Sequence, residues 1–458
     1  MCPLTANIES TILPFIPSRI KSLASRVASS PLGRRLAQGA FWSLIATLAS
    51  RGLNVAAMVL VARVLGKAEF GEIGIIQSTV GMFQTFASFG LGWAATKYVS
   101  EWRKKDPAKA GRIIAFSNLV SVATGGIIAG AFYLAAPWLA SHSLASPHLA
   151  GPLRVSSIVL LLGTLVGTQY GTLAGLEAFR ALAWIGIVNG FLSVPLIFGG
   201  AWFLGVEGAV WGLAASYGIN WILNLRSVRT EVRRLGIRLS FTGLFRERAM
   251  LWDFSIPAIL TGTAYNVANW VCAAMLVRSG GYGEMGCYNA ANQWFNVLIF
   301  LPGVLGQAAI PVLSEQLGEN DLERSRKILE YSWKLNAVMI VPTAVFGSLF
   351  SPWIMGLYGD NFRTAWPTLV ITLVSAAVCA LQAPAGQLIT AAGRAWAGAV
   401  MNFSYAVLFI ASTAALLHWG SLGMAAGRTI AYCAYAAWSF KFAYTLVQRS
   451  ASQPVGAC

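Results

Sequence analysis

Apolar residues in this chain gather into long runs separated by short polar connections. A helix needs about 20 apolar residues to cross roughly 30 Å of hydrocarbon. Runs of that order cover 37–62, 72–96, 113–140, 153–176, 181–204, 207–225, 254–277, 285–312, 328–350, 365–391, 397–417 and 422–446. The pattern predicts twelve transmembrane helices and an all-α polytopic membrane protein. Pro195, Pro257, Pro302, Pro342, Pro367 and Pro384 lie in or beside these runs and are expected to kink them.

The polar residues inside the spans are not scattered. Ser43, Thr47, Ser50, Arg51 and Asn54 recur at three- and four-residue steps on span one, and Gln77, Gly81, Gln84 and Ser88 do so on span two. Spans seven and eight repeat the arrangement with Gly262, Asn266 and Asn269, then Asn289, Asn292, Gln293 and Asn296. Such spacing puts each set on one helical face. A single Asn is adequately explained by an interhelical hydrogen bond of about 0.6 kcal/mol. Four stripes on corresponding helices predict a wet cavity instead, with Arg51, Asn54, Gln77, Gln84, Asn266, Asn269, Asn292, Gln293 and Asn296 as the candidate binding residues. Trp93, Trp270 and Trp294 are candidates for stacking on a ligand, although an interfacial or packing position is the expected one for each.

Arg51 sharpens this expectation. An arginine at a helix centre costs roughly 2.5–3.5 kcal/mol on insertion scales, so it needs a partner or water. All seventeen acidic residues fall in tails, loops or the end turns of spans. Arg51 therefore has no mid-membrane carboxylate to pair with, and its planar fork suits phosphate oxygens. Arg428 has the same difficulty but lies nearer a span end, where snorkelling and a structural role are expected.

The chain also repeats itself. "LVARVLGKAEFGEIG" at 60–74 matches "LVRSGGYGEMG" at 276–286, with three fewer residues between the Arg and the aromatic-Gly-Glu turn, and "GWAATKYVSE" at 92–101 matches "GQAAIPVLSE" at 306–315. Asn54 stands before Arg63 as Asn269 stands before Arg278. Two six-span halves with the same orientation follow, a parallel repeat. The expected organisation is a basic tail at 1–35, an N-terminal lobe at 36–225, a basic linker at 226–250, a C-terminal lobe at 251–446 and a short tail at 447–458.

Composition agrees: 56% of residues are hydrophobic, 11% charged, and mean hydropathy is +0.63. The net charge of +16 would suit nucleic acid, but the basic residues sit between spans. Placing the amino terminus inside leaves only Arg63, Lys67, Arg154, Arg278 and Arg363 on the opposite face, as the positive-inside rule requires. Both termini are then cytoplasmic, and nucleic-acid binding is excluded. The first 35 residues lack the apolar core of a cleaved signal. Six cysteines without a CxxC pair and three separated histidines predict no disulfide framework, metal or cofactor.

The segments "ARVLGKAEFGEIGI", "ASFGLGWAATKYVSE", "VRSGGYGEMGCYNAANQ" and "LPGVLGQAAIPVLSE" resemble the Wzx-type oligosaccharide flippases, the polysaccharide-transporter branch of the multidrug/oligosaccharidyl-lipid/polysaccharide superfamily. The likeness runs from about residue 36 to 395. It implies two six-helix lobes around a central cavity, cell (inner) membrane localisation, and movement of an isoprenoid-diphosphate-linked oligosaccharide from the inner to the outer leaflet. Membrane lipids, and glycosyltransferases or a polymerase of the same pathway, are the implied partners. Where the family often carries an Asp near the end of span seven, this chain has Asn269, which puts a role for that acid in doubt. Two other classes compete. A cation-coupled multidrug exporter of the same superfamily would need a buried acid, and a membrane polymerase or ligase would need larger, more charged outer loops than these.

Overall fold

The computed structural model describes residues 31–240, 256–300, 302–303, 322–392 and 394–451. The first tail to residue 30, the linker stretch 241–255, the second copy of the "GQAAIPVLSE" repeat and the end from 452 lie outside the described residues, as do the side chains of Ser43 and Thr47. Among the described residues there is no β-strand. The helices are α1 (Pro31–Ser88), α2 (Leu91–Trp102), α3 (Pro107–Trp138), α4 (Ala150–Gly175), α5 (Phe179–Arg234), α6 (Ile256–Leu298), α7 (Leu322–Leu349), α8 (Ser351–Gly356), α9 (Asp360–Arg363), α10 (Trp366–Ala391), α11 (Ala395–Leu416) and α12 (Gly420–Ala451).

Three of these are pairs of spans joined without a loop. α1 breaks at Gly66, α5 at Leu204 and Gly205, and α6 at Gly281. With those breaks counted, the predicted spans fall on helices over most of their described residues, but span two, 72–96, runs across the turn at Phe89 and Gly90 that separates α1 from α2. The breaks lie at glycines rather than prolines: Gly66, Gly205 and Gly281 have φ of 78°, 62° and 78°, a region nearly closed to residues with a Cβ. Pro195, Pro342 and Pro384 sit inside helical segments, and the chain turns at the glycines. Elsewhere local chemistry fixes the ends. Asp106 caps α3 by accepting from the Lys109 backbone N–H at 3.0 Å, with Pro107 in the first turn.

The sequence repeat is visible in the backbone. Gly66 and Gly281 share nearly the same conformation, ψ being −178° and 175°, and each follows the matched arginine, Arg63 or Arg278, by one helical turn. The three extra residues of the first copy, Lys67, Ala68 and Glu69, come after the break.

α1–α5 pack on one another, as do α6, α7, α8, α10, α11 and α12. Contact between the two bundles runs chiefly along α1 and α6. There the backbones touch. A Cβ on Gly71 would lie 1.9 Å from the Tyr282 carbonyl oxygen, and one on Gly286 would lie 2.1 Å from that of Lys67. Small residues at such a crossing let dispersion and backbone contacts act at close range, the usual means of helix association in lipid.

Gly71→Ala and Gly286→Ala should each lower the thermal unfolding midpoint of the purified protein, equivalent to about 1–3 kcal/mol of overpacking. Gly126→Ala, which meets nothing within 4 Å, is the control and should leave the midpoint in place.

Candidate functional site

Two adjoining cavities lie where the bundles meet. The larger, about 780 Å³, is walled by α1, α4 and α5, with Gln293, Asn296 and Val297 of α6 on its far side. The smaller, about 250 Å³, is enclosed by α1 and α6 with Met424 of α12. Gln77, Gly81 and Asn296 belong to both walls.

The nine candidate residues divide between these spaces. Arg51, Asn54, Gln77, Gln84, Gln293 and Asn296 line the larger cavity; Asn266, Asn269 and Asn292 line the smaller. Half-buried Arg51 donates from Nη1 to the Asn296 carbonyl oxygen at 2.8 Å, and its guanidinium carbon stands 4.5 Å from the centre of the Phe300 ring. Asn296 is in the last turn of α6, where carbonyls lack helical partners and the helix dipole is negative. Among the described residues no carboxylate lies within ion-pair distance of Arg51. The Asn266 amide donates to Thr85 Oγ1 across the bundles at 2.8 Å, whereas Asn269 donates to the Tyr265 carbonyl of its own helix at 2.8 Å.

Pattern reading missed part of the wall. Asn189, Ser193, Ser216 and Asn220 of α5 all face the larger cavity, and Ser216 Oγ donates to Asn189 Oδ1 at 3.4 Å. The signal was present as two four-residue steps, but each pair alone is too short to stand out. Arg428 differs from expectation more sharply: it does not snorkel but is fully buried, with Nη1 donating to Asn292 Oδ1 at 2.7 Å. Trp93, Trp270 and Trp294 line neither cavity. Trp93 is 62% exposed, and Trp270 donates its indole N–H to Thr79 Oγ1 at 3.1 Å.

One end of this assembly is sealed. Arg63 Nε donates to the Leu357 carbonyl at 2.6 Å, Tyr282 Oη to the Leu144 carbonyl at 2.8 Å, and Lys67 Nζ stands 3.6 Å from Glu284 Oε1. Phe70 wedges between Tyr358 and Phe362, with ring centroids 6.0 and 5.9 Å away. All four contacts join the first bundle to the second. Glu284 also accepts from the Ser421 backbone N–H at 2.8 Å and hydroxyl at 2.7 Å.

Two bundles sealed at one end over a polar, cationic chamber define a multi-pass membrane transporter. The chain belongs to the polysaccharide biosynthesis protein family, whose model matches residues 36–317; the MatE model also matches 257–416. It is 24% identical over 401 residues to the EPS I polysaccharide export inner membrane protein EpsE of Ralstonia nicotianae, covering 85% of this chain and 89% of that protein. To the probable low-salt glycan biosynthesis flippase Agl15 of Haloferax volcanii it is 22% identical over 352 residues, covering 73% and 68%. In fold it is similar to a multidrug resistance MATE family transporter of the MOP superfamily solved in an inward-facing conformation, with TM-score 0.76, 15% identity and coverage of 91% of this chain and all of that one.

Burial raises the Glu284 carboxyl, but the two Ser421 donors and the Lys67 ammonium outweigh it and hold the group below its ordinary value. A depressed folded pKa means the contact stabilises above the unfolded glutamate value, about 4.3, and loses its contribution as pH falls through the folded value. Glu284→Gln should therefore melt below wild type at pH 7, with the difference closing below about pH 4, as thermal unfolding across a pH series will read.

Proposed function

We propose that this protein is a flippase that carries an isoprenoid-diphosphate-linked oligosaccharide from the inner to the outer leaflet of the cell membrane. The observation that carries the proposal is Arg51: a guanidinium on the wall of a large polar cavity, met by a helix-end carbonyl and a ring but by no carboxylate of the described chain. A diphosphate supplies the missing charge, and two N–H groups of the fork bind its oxygens side by side. Asn54, Gln77, Gln84, Gln293 and Asn296 give the head group hydrogen-bond partners, with Asn266, Asn269 and Asn292 serving the sugars further in. The polysaccharide-export and glycan-flippase relatives support this class of cargo.

In this reading the sealed end faces outward. That orientation places both termini and the basic linker 226–250 on the cytoplasmic side, between lobes at 36–225 and 251–446. Cargo enters from the cytoplasmic side, the α1–α6 contacts at the sealed end part, and the lobes rock to expose the head group outward. The isoprenoid stays in lipid throughout. Glycosyltransferases and a polymerase of the same pathway are the expected neighbours. The MatE match favours a drug exporter as the second reading, but Arg51 repels cationic drugs from the cavity.

Arg51→Ala should reduce translocation of lipid-linked oligosaccharide in proteoliposomes by about ten- to a hundredfold, the loss of one charge-assisted contact of about 1.5–3 kcal/mol. Arg51→Lys should recover part of it. Intact translocation with altered drug resistance would instead favour the exporter.

An anion leaving a cell that is negative inside gains about 2.3 kcal/mol per charge per 100 mV. Flipping should therefore slow when the potential is collapsed and persist when sodium and proton gradients alone are removed. The opposite dependence in the same vesicles would refute the potential as driving force.

A further inference from the structure

Arg428 has none of its surface exposed, yet Nε and Nη2 make no hydrogen bond. Rings surround it instead of a carboxylate: its guanidinium carbon is 4.1 Å from the Phe295 centroid and 5.3 Å from that of Tyr288. Aromatic faces return about 0.5–2 kcal/mol, less than the cost of an unpaired buried charge. The uncompensated guanidinium lies directly behind the smaller cavity. Tyr288 and Asn292 form part of that cavity's wall, as does Met424, one turn before Arg428 on α12.

The donors on that wall point the same way. Arg428 occupies the carbonyl oxygen of Asn292, so the Asn292 amide N–H pair remains for the cavity. A fixed cation behind the free Asn292 N–H donors matches an anionic oxygen group, and the 250 Å³ space suits one substituent rather than a whole head group.

We propose that the smaller cavity is a subsite for a carboxylate-bearing sugar of the cargo, with Arg428 as the positioning residue that sets its charge and orients Asn292. The proposal rests on the flippase reading above, in which Arg51 takes the diphosphate. It makes Arg428 a determinant of which glycan is accepted.

The test is calorimetric binding to the purified full chain in nanodiscs with three probes: farnesyl diphosphate, and farnesyl-diphosphate disaccharides ending in glucose or in glucuronic acid. Wild type should bind the glucuronate probe about tenfold more tightly than the glucose probe. The ratio should fall to about one in Arg428→Gln and in Asn292→Asp. The Asn292→Asp carboxylate neutralises the guanidinium in place, so this variant carries the test if Arg428→Gln does not fold. Arg51→Ala should weaken all three probes and preserve the ratio. A wild-type ratio near one overturns the subsite while leaving the Arg51 reading intact. If Asn292→Asp weakens farnesyl diphosphate as much as the glucuronate probe, the pocket takes the diphosphate and the proposal falls. If Arg51→Ala leaves farnesyl diphosphate binding unchanged, the assignment of the diphosphate to Arg51 fails, and a surviving ratio still supports the subsite.

Discussion

A guanidinium held in a low-dielectric interior must be answered by something, and in this molecule the protein answers it incompletely. Arg51 from the first bundle and Arg428 from the second both donate to α6, at Asn296 and Asn292, one helical turn apart. One offers a helix-end carbonyl, the other a side-chain amide, and rings supply the rest. Neutral dipoles and ring quadrupoles recover only part of what a full negative charge would. The two cavities share Gln77, Gly81 and Asn296 in the wall between these arginines.

Much of the fold could be read in advance because lipid permits little else. Every backbone group must be satisfied within its own segment, so apolar runs of the right length become helices. The repeat was legible for the same reason: the matched arginines and glycines mark where each half turns back. The reversals inside α1, α5 and α6 use positive φ, which glycine supplies and proline forbids.

The cavity lining was legible where polar residues formed long stripes and illegible where they came in pairs. The stripe on α6 announced itself through Asn289, Asn292, Gln293 and Asn296, while Asn189 with Ser193 and Ser216 with Asn220 did not. Trp93, Trp270 and Trp294 fall outside both cavity linings, in keeping with the interfacial or packing position expected of them. Arg428 was misjudged because depth along a helix says nothing about the neighbours across it. Tyr288, Phe295 and Asn292 make burial tolerable, and all three come from a different helix.

The residues added after Gly66 leave the two halves unequal at their sealed rim. Lys67 reaches Glu284 of the other half, and it is one of the three residues that the second copy of the repeat lacks. Parting the halves at this rim has to undo an ion pair whose lysine belongs to that insertion, so the two copies of the repeat are not interchangeable where they meet.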